Sequence, residues 1–295
     1  MTTSPPTTGP AAAGSDHVLR AMTDDGSFRV IAATTTAMVE GAIAAQSARG
    51  ATARWFGELL TGAVLYRETM APQLRVQAIL MGASGRLVAD SHPDGGTRGL
   101  VTLPASAGGQ LQLGPAALLQ VMRSLPNGAL HQGVVSVASA GGISGAFMAY
   151  LQTSEQVVSM AAVGCVLDGE ARVAAAGGYL LQLLPEVREG PLALMTERLR
   201  DFEDIDGLLA TTAAEPAALV AELFYGMPFT PLARNPLSFQ CRCSHSRLVA
   251  SLATLARADI AEMVGDARPL DITCDYCGKA YNINPEQLRG LLETS

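Results

Sequence analysis

Apolar residues recur along much of the chain in two spacings, one typical of strands and the other of helices. Apolar side chains occupy every second position of 73–81, which predicts a half-buried strand. Ala, Leu and Val recur at helical spacing in 36–48 and 51–68, which predicts two helices. The same reading predicts further strands at 27–35, 86–90, 98–103 and 134–138, and a further helix at 143–153.

Two long apolar runs, 157–167 and 171–184, lie on either side of Asp168-Gly169. An Asp-Gly pair between strand-forming runs is a strong signal for a tight turn between antiparallel strands. We therefore expect these two runs to pair as a β-hairpin.

The pattern changes at Pro185. From residue 186 to about 233, leucines and charges recur at helical spacing, which predicts two or three short helices on the surface of the first domain. Prolines then interrupt the pattern at 228, 231 and 236. We divide the chain into a flexible tail (1–15), a core (16–185), a helical linker (186–236) and a C-terminal domain (237–295).

Composition narrows the class of protein. Hydrophobic residues make up 48% and charged residues 16% of the 295 residues, which indicates a globular protein. The 20 basic and 27 acidic residues give a net charge of −7, which argues against general nucleic-acid binding.

Neither a membrane span nor a signal peptide is predicted. The longest uncharged run, 124–154, contains a proline and several glycines that suit turns rather than a membrane helix. The tail has no positive charge and no apolar core, so it does not resemble a signal peptide. We therefore expect a cytoplasmic protein.

Four of the five cysteines form two close pairs near the end of the chain. Cys241 and Cys243 form a Cys-x-Cys pair, Cys274 and Cys277 form a Cys-x-x-Cys pair, and 30 residues separate them. Zn²⁺ prefers four soft ligands in a tetrahedron, and each short pair can supply two thiolates from a tight turn. We therefore predict a zinc site. Cys165 lies in an apolar run and is predicted to be a core residue.

Other interpretations of these cysteines remain open. His245 could replace one thiolate, the four thiols could be unrelated buried residues, or the Cys-x-x-Cys pair alone could be a dithiol redox centre. The 59-residue segment 237–295 carries six basic and seven acidic residues, which argues against a DNA-reading zinc ribbon. Chains of this size are only marginally stable without an added constraint, so we expect zinc to be required for folding.

Several segments together resemble the redox-regulated heat-shock chaperone family, also called the 33 kDa chaperonins. The specific parts are the cysteine arrangement and a central Gly-Gly-Tyr segment, and the resemblance covers nearly the whole chain after the tail. The matching stretches are Leu19-Arg20-Ala21, Arg98-Gly99, Ser154-Glu155-Gln156, residues 175–185, residues 239–244, Cys274-Asp275-Tyr276-Cys277 and Tyr281.

The resemblance implies an α+β protein with an N-terminal α/β sandwich-like domain, a helical linker and a small C-terminal zinc-binding domain. It implies an ATP-independent holdase that binds unfolded client proteins. The reduced, zinc-bound form would be inactive. Oxidation would form the disulfides Cys241–Cys243 and Cys274–Cys277, release zinc, unfold the C-terminal domain and linker, and favour a homodimer.

The chain departs from the family pattern in three places. Val157-Val158 stand where the family often has a proline, Ser246 replaces the usual Glu after Cys243, and the third departure lies before Ser154. The family has an acidic cluster at the start of the helix before Ser154, where this chain has Gly142, Gly145 and Ala146. Two alternatives to the chaperone remain: a zinc-binding regulatory protein whose zinc is only structural, and an enzyme. The sequence has no Gly-x-Ser-x-Gly elbow, P-loop or His-Glu-x-x-His motif, so we do not expect an enzyme.

Overall fold

The computed structural model describes residues 15–169, 172–211, 215–266 and 268–293. All of the predicted flexible tail except Ser15 therefore lies outside the described residues. The chain divides into two compact units, one ending at Phe239 and the other beginning at Gln240. The predicted α+β class is confirmed, since each unit contains both helices and strands.

The first unit contains most of the strands. In chain order its elements are β1 (His17–Thr23), β2 (Phe28–Thr34), α1 (Thr36–Gln46), α2 (Gly50–Arg67), β3 (Val76–Gly82), β4 (Gly85–Ser91), β5 (Gly96–Thr102), β6 (Leu118–Ser124), β7 (Leu130–Ser136), α3 (Ile143–Ser154), β8 (Ser159–Asp168), β9 (Arg172–Leu183), α4 (Glu189–Leu199), α5 (Ile205–Leu209), α6 (Pro216–Leu223), β10 (Phe229–Pro236) and β11 (Ser238–Phe239). Short 3₁₀ turns lie at Ala105–Ala107 and Arg200–Phe202.

These strands form two sheets within the described ranges. One sheet has the order β10-β1-β2-β9-β8, and the other has the order β11-β5-β4-β3-β6-β7. The helices α1, α2 and α3 each contact strands of both sheets, so they form a layer between them. The result is a sheet–helix–sheet sandwich, and the predicted hairpin is present as β8 and β9.

Helix α2 is the centre of this sandwich. Every residue from Phe56 to Arg67 is buried, as expected for a helix covered on all sides. Two glycines allow its neighbours to approach closely. A Cβ at Gly62 would lie 2.1 Å from Phe147 of α3, and one at Gly57 would lie 2.5 Å from the sulfur of Cys165 in β8.

A second apolar core lies on the outer face of the five-stranded sheet. Ile31 and Ala33 of β2 face the helix layer, whereas Val30 and Ala32 face outward, as strand alternation requires. The outward residues are covered by side chains from the predicted linker, including Met195, Phe202, Leu219, Val220, Leu223 and Phe224. The linker is therefore packed on the core rather than standing apart from it.

One part of the helical linker prediction is wrong. The range 186–236 contains α4, α5 and α6, but it ends in strand β10, which pairs with β1. Proline can occupy an edge strand or a bulge, and Pro231 lies where the β1–β10 register shifts. Strands β1 and β6 are additional elements that the apolar pattern did not predict.

The second unit consists of α7 (His245–Leu252), α8 (Arg257–Gly265), the hairpin β12 (Leu270–Thr273) with β13 (Ala280–Ile283), and α9 (Pro285–Glu293). Its apolar cluster is built on buried Leu252, Ile283 and Leu288, with partly buried neighbours around them. This apolar core is small for a unit that spans residues 240–295. Burial of apolar side chains alone therefore gives the unit little stability.

Candidate metal centre

The four paired cysteines meet at one point of the second unit. The sulfur of Cys241 lies 3.7 Å from that of Cys274, and the sulfur of Cys243 lies 3.4 Å from that of Cys277. All four sulfurs lie within 4.8 Å of one another. Residues that are 33 or 34 positions apart in the chain are thus gathered into one cluster that can hold a metal ion.

The second pair lies in the turn of the β12–β13 hairpin. The backbone amide of Cys274 donates to the carbonyl of Lys279 at 2.9 Å, and the amide of Gly278 donates to the carbonyl of Cys274 at 2.8 Å. Gly278 has a φ of +70°, a left-handed conformation that glycine adopts without strain. These bonds close a tight turn that aims Cys274 and Cys277 into the same space.

The first pair precedes helix α7. Ser244 is the N-cap of this helix, and its hydroxyl accepts a hydrogen bond from the amide of Arg247 at 3.2 Å. The side chain of Arg247 donates back to the carbonyl of Arg242 at 3.0 Å. The start of the helix therefore fixes the backbone that carries Cys241 and Cys243. His245 is the first residue of α7 and is not part of the metal-capable group found among the described residues.

Tyr281 of β13 adds a polar contact to the cluster. Its hydroxyl donates to the sulfur of Cys243 at 3.1 Å. Partial burial opposes ionisation of Cys243, but hydrogen bonds from Tyr281 and the neighbouring thiols outweigh it and lower the pKa of Cys243 to about 7. The sequence pattern by itself gives Tyr281 no such role, because a tyrosine near a cysteine pair is not a metal-ligand signal.

Cys274 and Cys277 show the opposite shift in pKa. Desolvation raises the pKa of Cys277 to about 12 and also raises that of Cys274. Four thiolates at this spacing repel one another, so a cation is needed to hold all four ionised at neutral pH.

The geometry fits Zn²⁺. With zinc–sulfur bonds of roughly 2.3 Å, the edge of a sulfur tetrahedron is about 3.8 Å. The two sulfur–sulfur distances of 3.7 and 3.4 Å are close to that edge. An all-thiolate donor set is one of those that zinc takes in structural sites. The cluster is therefore compatible with a closed tetrahedral zinc site that leaves no position for substrate.

Cys165 is separate from this cluster. It is buried in the core of the first unit, where desolvation, with the nearby carboxylates of Glu58 and Asp206 adding to it, raises its pKa to about 12. This agrees with the predicted core role.

Comparison with known proteins identifies the family. A model of the family described as Hsp33 protein matches residues 16–284. The chain belongs to the Hsp33 family. A 33 kDa chaperonin of Syntrophotalea carbinolica is 31% identical over 94% of this chain and 99% of its own length. Another, from Thermus thermophilus, is 30% identical over 94% of this chain and 86% of its own length.

A solved structure has the same fold. The crystal structure of the 33 kDa chaperonin from Thermotoga maritima matches with a TM-score of 0.79 and 21% identity, over 95% of this chain and 98% of that one. At this identity the likeness concerns the fold alone, and the fold extends through both units.

Other residues that carry the family resemblance belong to the first unit and make polar contacts within it. The carboxylate of Glu155 accepts hydrogen bonds from Tyr66 at 2.6 Å, Tyr150 at 3.1 Å and Arg123 at 2.9 Å. The guanidinium of Arg98 donates to buried Asp90 at 3.0 Å. Glu155 and Arg98 are therefore tied into the first unit by hydrogen bonds.

The Gly-Gly-Tyr segment joins the sheet to the linker. A Cβ at Gly177 would lie 2.5 Å from the carbonyl of Ala33, and one at Gly178 would lie 2.2 Å from that of Ala162. Tyr179 is buried, and its hydroxyl donates to the carbonyl of Phe202 in the linker at 3.1 Å. This signature therefore lies where the strand β9 meets the segment that covers it.

The helix that lacks the acidic cluster still has a defined start. Gly142 is the N-cap of α3 at φ +118°, and the first turn of this helix has no acidic residue. A Cβ at Gly145 would lie 1.7 Å from the carbonyl of Ala140, so the backbone folds too tightly there for a larger residue. The hydroxyl of Ser144 accepts a hydrogen bond from the amide of Val163 in the edge strand β8 at 3.0 Å.

Among the described residues, no helix combines the length and the apolar character that crossing a bilayer requires.

Proposed function

We propose that this Hsp33-family protein is an ATP-independent holdase that is activated by oxidation and acts in the cytoplasm. Four cysteine thiolates hold Zn²⁺ in the reduced, inactive form. The observation that carries the proposal is the metal-capable cluster of Cys241, Cys243, Cys274 and Cys277 in a unit with a very small apolar core. Its relatives in the comparison are named 33 kDa chaperonins, which supports the chaperone role.

The redox step converts thiolate ligands into disulfides. Each pair of thiolates gives two electrons to one molecule of peroxide, which takes up two protons and leaves as two molecules of water, so two molecules of peroxide are consumed as the bonds Cys241–Cys243 and Cys274–Cys277 form. Disulfide sulfurs are poor zinc ligands, and zinc is therefore released. Zinc binding supplies on the order of 10–16 kcal/mol of free energy in small zinc domains. Loss of zinc therefore removes the binding free energy that keeps the second unit folded.

Client binding follows from the apolar surface in the first unit. Helices α4 to α6 cover outward-facing Phe28, Val30, Ala32 and Leu181 of the five-stranded sheet. An apolar groove of about 160 Å³ already lies beside α4, lined by Val158, Leu192 and Leu199 among others. If the linker loosens after zinc is released, this surface becomes available to unfolding proteins, and to a second oxidised copy.

An aggregation assay on the full chain tests the proposal. Light scattering of a heat-denatured client is followed with reduced, zinc-loaded protein and with peroxide-treated protein, while a chelating dye records zinc release. We expect only the oxidised, zinc-free form to suppress aggregation. Peptide mapping by mass spectrometry should find Cys241–Cys243 and Cys274–Cys277, although the structure brings all four sulfurs within 4.8 Å and other pairings are within reach.

Two variants make the test specific. Cys274→Ser removes one ligand and should weaken zinc retention strongly, whereas Cys165→Ala lies outside the cluster and should leave zinc binding unchanged. Zinc that stays bound at peroxide concentrations that oxidise free thiols would instead support a zinc-binding regulatory protein with a purely structural site.

A further inference from the structure

A tyrosine hydroxyl joins the two cysteine pairs of the candidate metal centre. Tyr281 lies on β13 opposite Ile272 of β12, in the hairpin whose turn carries Cys274 and Cys277. Its hydroxyl nevertheless donates to Cys243 of the other pair, 38 residues earlier in the chain, at 3.1 Å. The bond therefore links the hairpin to the segment before α7.

The position of the ring is well defined. Strand alternation places Tyr281 on the same face of β13 as Ile283, which is fully buried in the core of the second unit. The ammonium group of Lys279 lies 5.2 Å from the centroid of the Tyr281 ring, within the range of a cation–π contact. The phenol is thus oriented by its position in the strand and by a neighbouring cation.

A hydrogen bond to a thiolate changes what the sulfur can do. It withdraws electron density from the sulfur, and groups that hydrogen-bond to metal ligands orient those ligands and tune the metal. A thiolate that donates less charge is also a weaker nucleophile toward a peroxide. Both the orientation of the ligand and its weaker nucleophilicity concern Cys243, because its sulfur accepts the hydrogen bond from the Tyr281 hydroxyl.

We propose that Tyr281 is a positioning residue of the metal centre, which holds the Cys243 sulfur among the ligands and restrains its reaction with oxidants. This inference rests on the proposed zinc centre and adds a residue that sets how readily the centre loses its metal. The oxidation takes two electrons from a pair of sulfurs: a thiolate attacks the peroxide, its O–O bond breaks, and sulfenic acid forms while hydroxide leaves and takes up a proton to become water. A neighbouring thiol then attacks the sulfenic sulfur, and a second water leaves as the disulfide forms.

Tyr281→Phe tests the proposal, because it removes only the hydroxyl. Tyr225→Phe is the matched control, since Tyr225 is 74% exposed and lies in the first unit. Full-length proteins are compared by chelator competition for zinc, by the rate of zinc release at a fixed peroxide concentration, and by the sulfur-to-metal charge-transfer band of the Co²⁺-substituted form. Circular dichroism of the metal-loaded proteins checks that each variant is folded.

We expect Tyr281→Phe to bind zinc about 10–100-fold more weakly, as is typical when a group supporting a metal ligand is lost, because the lost positioning of the Cys243 sulfur outweighs its gain in electron density. Its zinc should be released faster by peroxide, and its Co²⁺ band should shift to longer wavelength because the Cys243 sulfur regains electron density. Tyr225→Phe should match the wild type in zinc affinity, in the rate of zinc release and in the position of the Co²⁺ band. A Co²⁺ band at the wild-type position in Tyr281→Phe would overturn the inference, even if zinc were lost faster. A wild-type chain that binds neither metal would overturn the proposed function as well.

Discussion

Leu209 of α5 lies directly against the bare backbone of Gly164 in β8. A Cβ at Gly164 would come within 2.7 Å of Leu209 Cδ1 and within 2.8 Å of Asp206 Oδ1. Gly164 pairs with Gly177 of β9, and a Cβ there would lie 3.2 Å from the same leucine. The guanidinium of Arg54 donates to Asp206 at 2.6 Å. A short segment of the linker thus fits over two adjacent glycines and is tied to α2.

Substitution of Gly164 by alanine should loosen this segment. The added methyl group overlaps Leu209, and overpacking of this kind costs about 1–3 kcal/mol of stability. Urea unfolding should show that loss, and limited proteolysis should cut the region 205–211 faster in the reduced, zinc-loaded protein.

Gly190→Ala provides the matched control for Gly164→Ala. Gly190 lies in α4, where an added Cβ would meet nothing within 4 Å. Gly190 is in the first turn and precedes Pro191, so the preference of helix interiors for alanine does not apply in full, and this variant should be close to neutral. Equal destabilisation by the two substitutions would contradict the docking role of Gly164.

Glu58 should make the stability of the first unit depend on pH. Burial, only partly offset by Arg54, raises the pKa of Glu58 from 4.5 to about 7. The folded chain therefore keeps a proton that the unfolded chain releases, and stability should fall as pH rises from about 4.5 through 7. The expected loss is at most about 3 kcal/mol.

Glu58→Gln tests that pH dependence, because glutamine is neutral and of similar shape. Urea unfolding at several pH values between 5 and 8 gives the free energy of unfolding of the wild type and the variant. Plotted against pH, the two free energies should converge at the acidic end and separate at the alkaline end, where the variant should be the more stable. Parallel curves would show that Glu58 does not titrate in this range.

Removal of zinc should unfold the second unit selectively. Its buried cluster contains Leu252, Ile283 and Leu288, whereas the core of the first unit spans two sheets and three helices. After chelation under reducing conditions, hydrogen exchange should become fast at Ile283 and Leu288 and remain slow in α2. Restored protection after zinc is added back serves as the control. Persistent protection of Leu288 without metal would contradict the prediction.

Cys165 should resist oxidation and alkylation in the folded protein. Its raised pKa of about 12 keeps it as the thiol, and its side chain is buried. After treatment with peroxide and then iodoacetamide, mass spectrometry should find Cys165 unmodified while the four paired cysteines have reacted. Denaturation before alkylation should make Cys165 react, and rapid modification of Cys165 in the native chain would contradict its buried position.

Local patterns in the sequence predicted many elements well. Helices α1, α2 and α3 and the β8–β9 hairpin lie within a few residues of their expected positions. Buried Val76, Ala78 and Leu80 alternate in β3 as expected. Such features depend on repeat spacing and turn residues within a short stretch, so they can be read without knowing what packs against them. The spacing of Cys241, Cys243, Cys274 and Cys277 likewise singled out the residues that the fold brings together.

Strand β10 and the long-range side-chain contacts were decided only by the tertiary structure. Strand β10 was predicted as part of a helical linker, and it is a strand because β1 offers it an edge with which to pair. The fit of Leu209 on Gly164 and the bond from Tyr281 to Cys243 join residues that are 45 and 38 positions apart. The physical reason is that a repeat pattern records which face of an element is apolar, whereas the partner of that face depends on long-range packing of the whole chain.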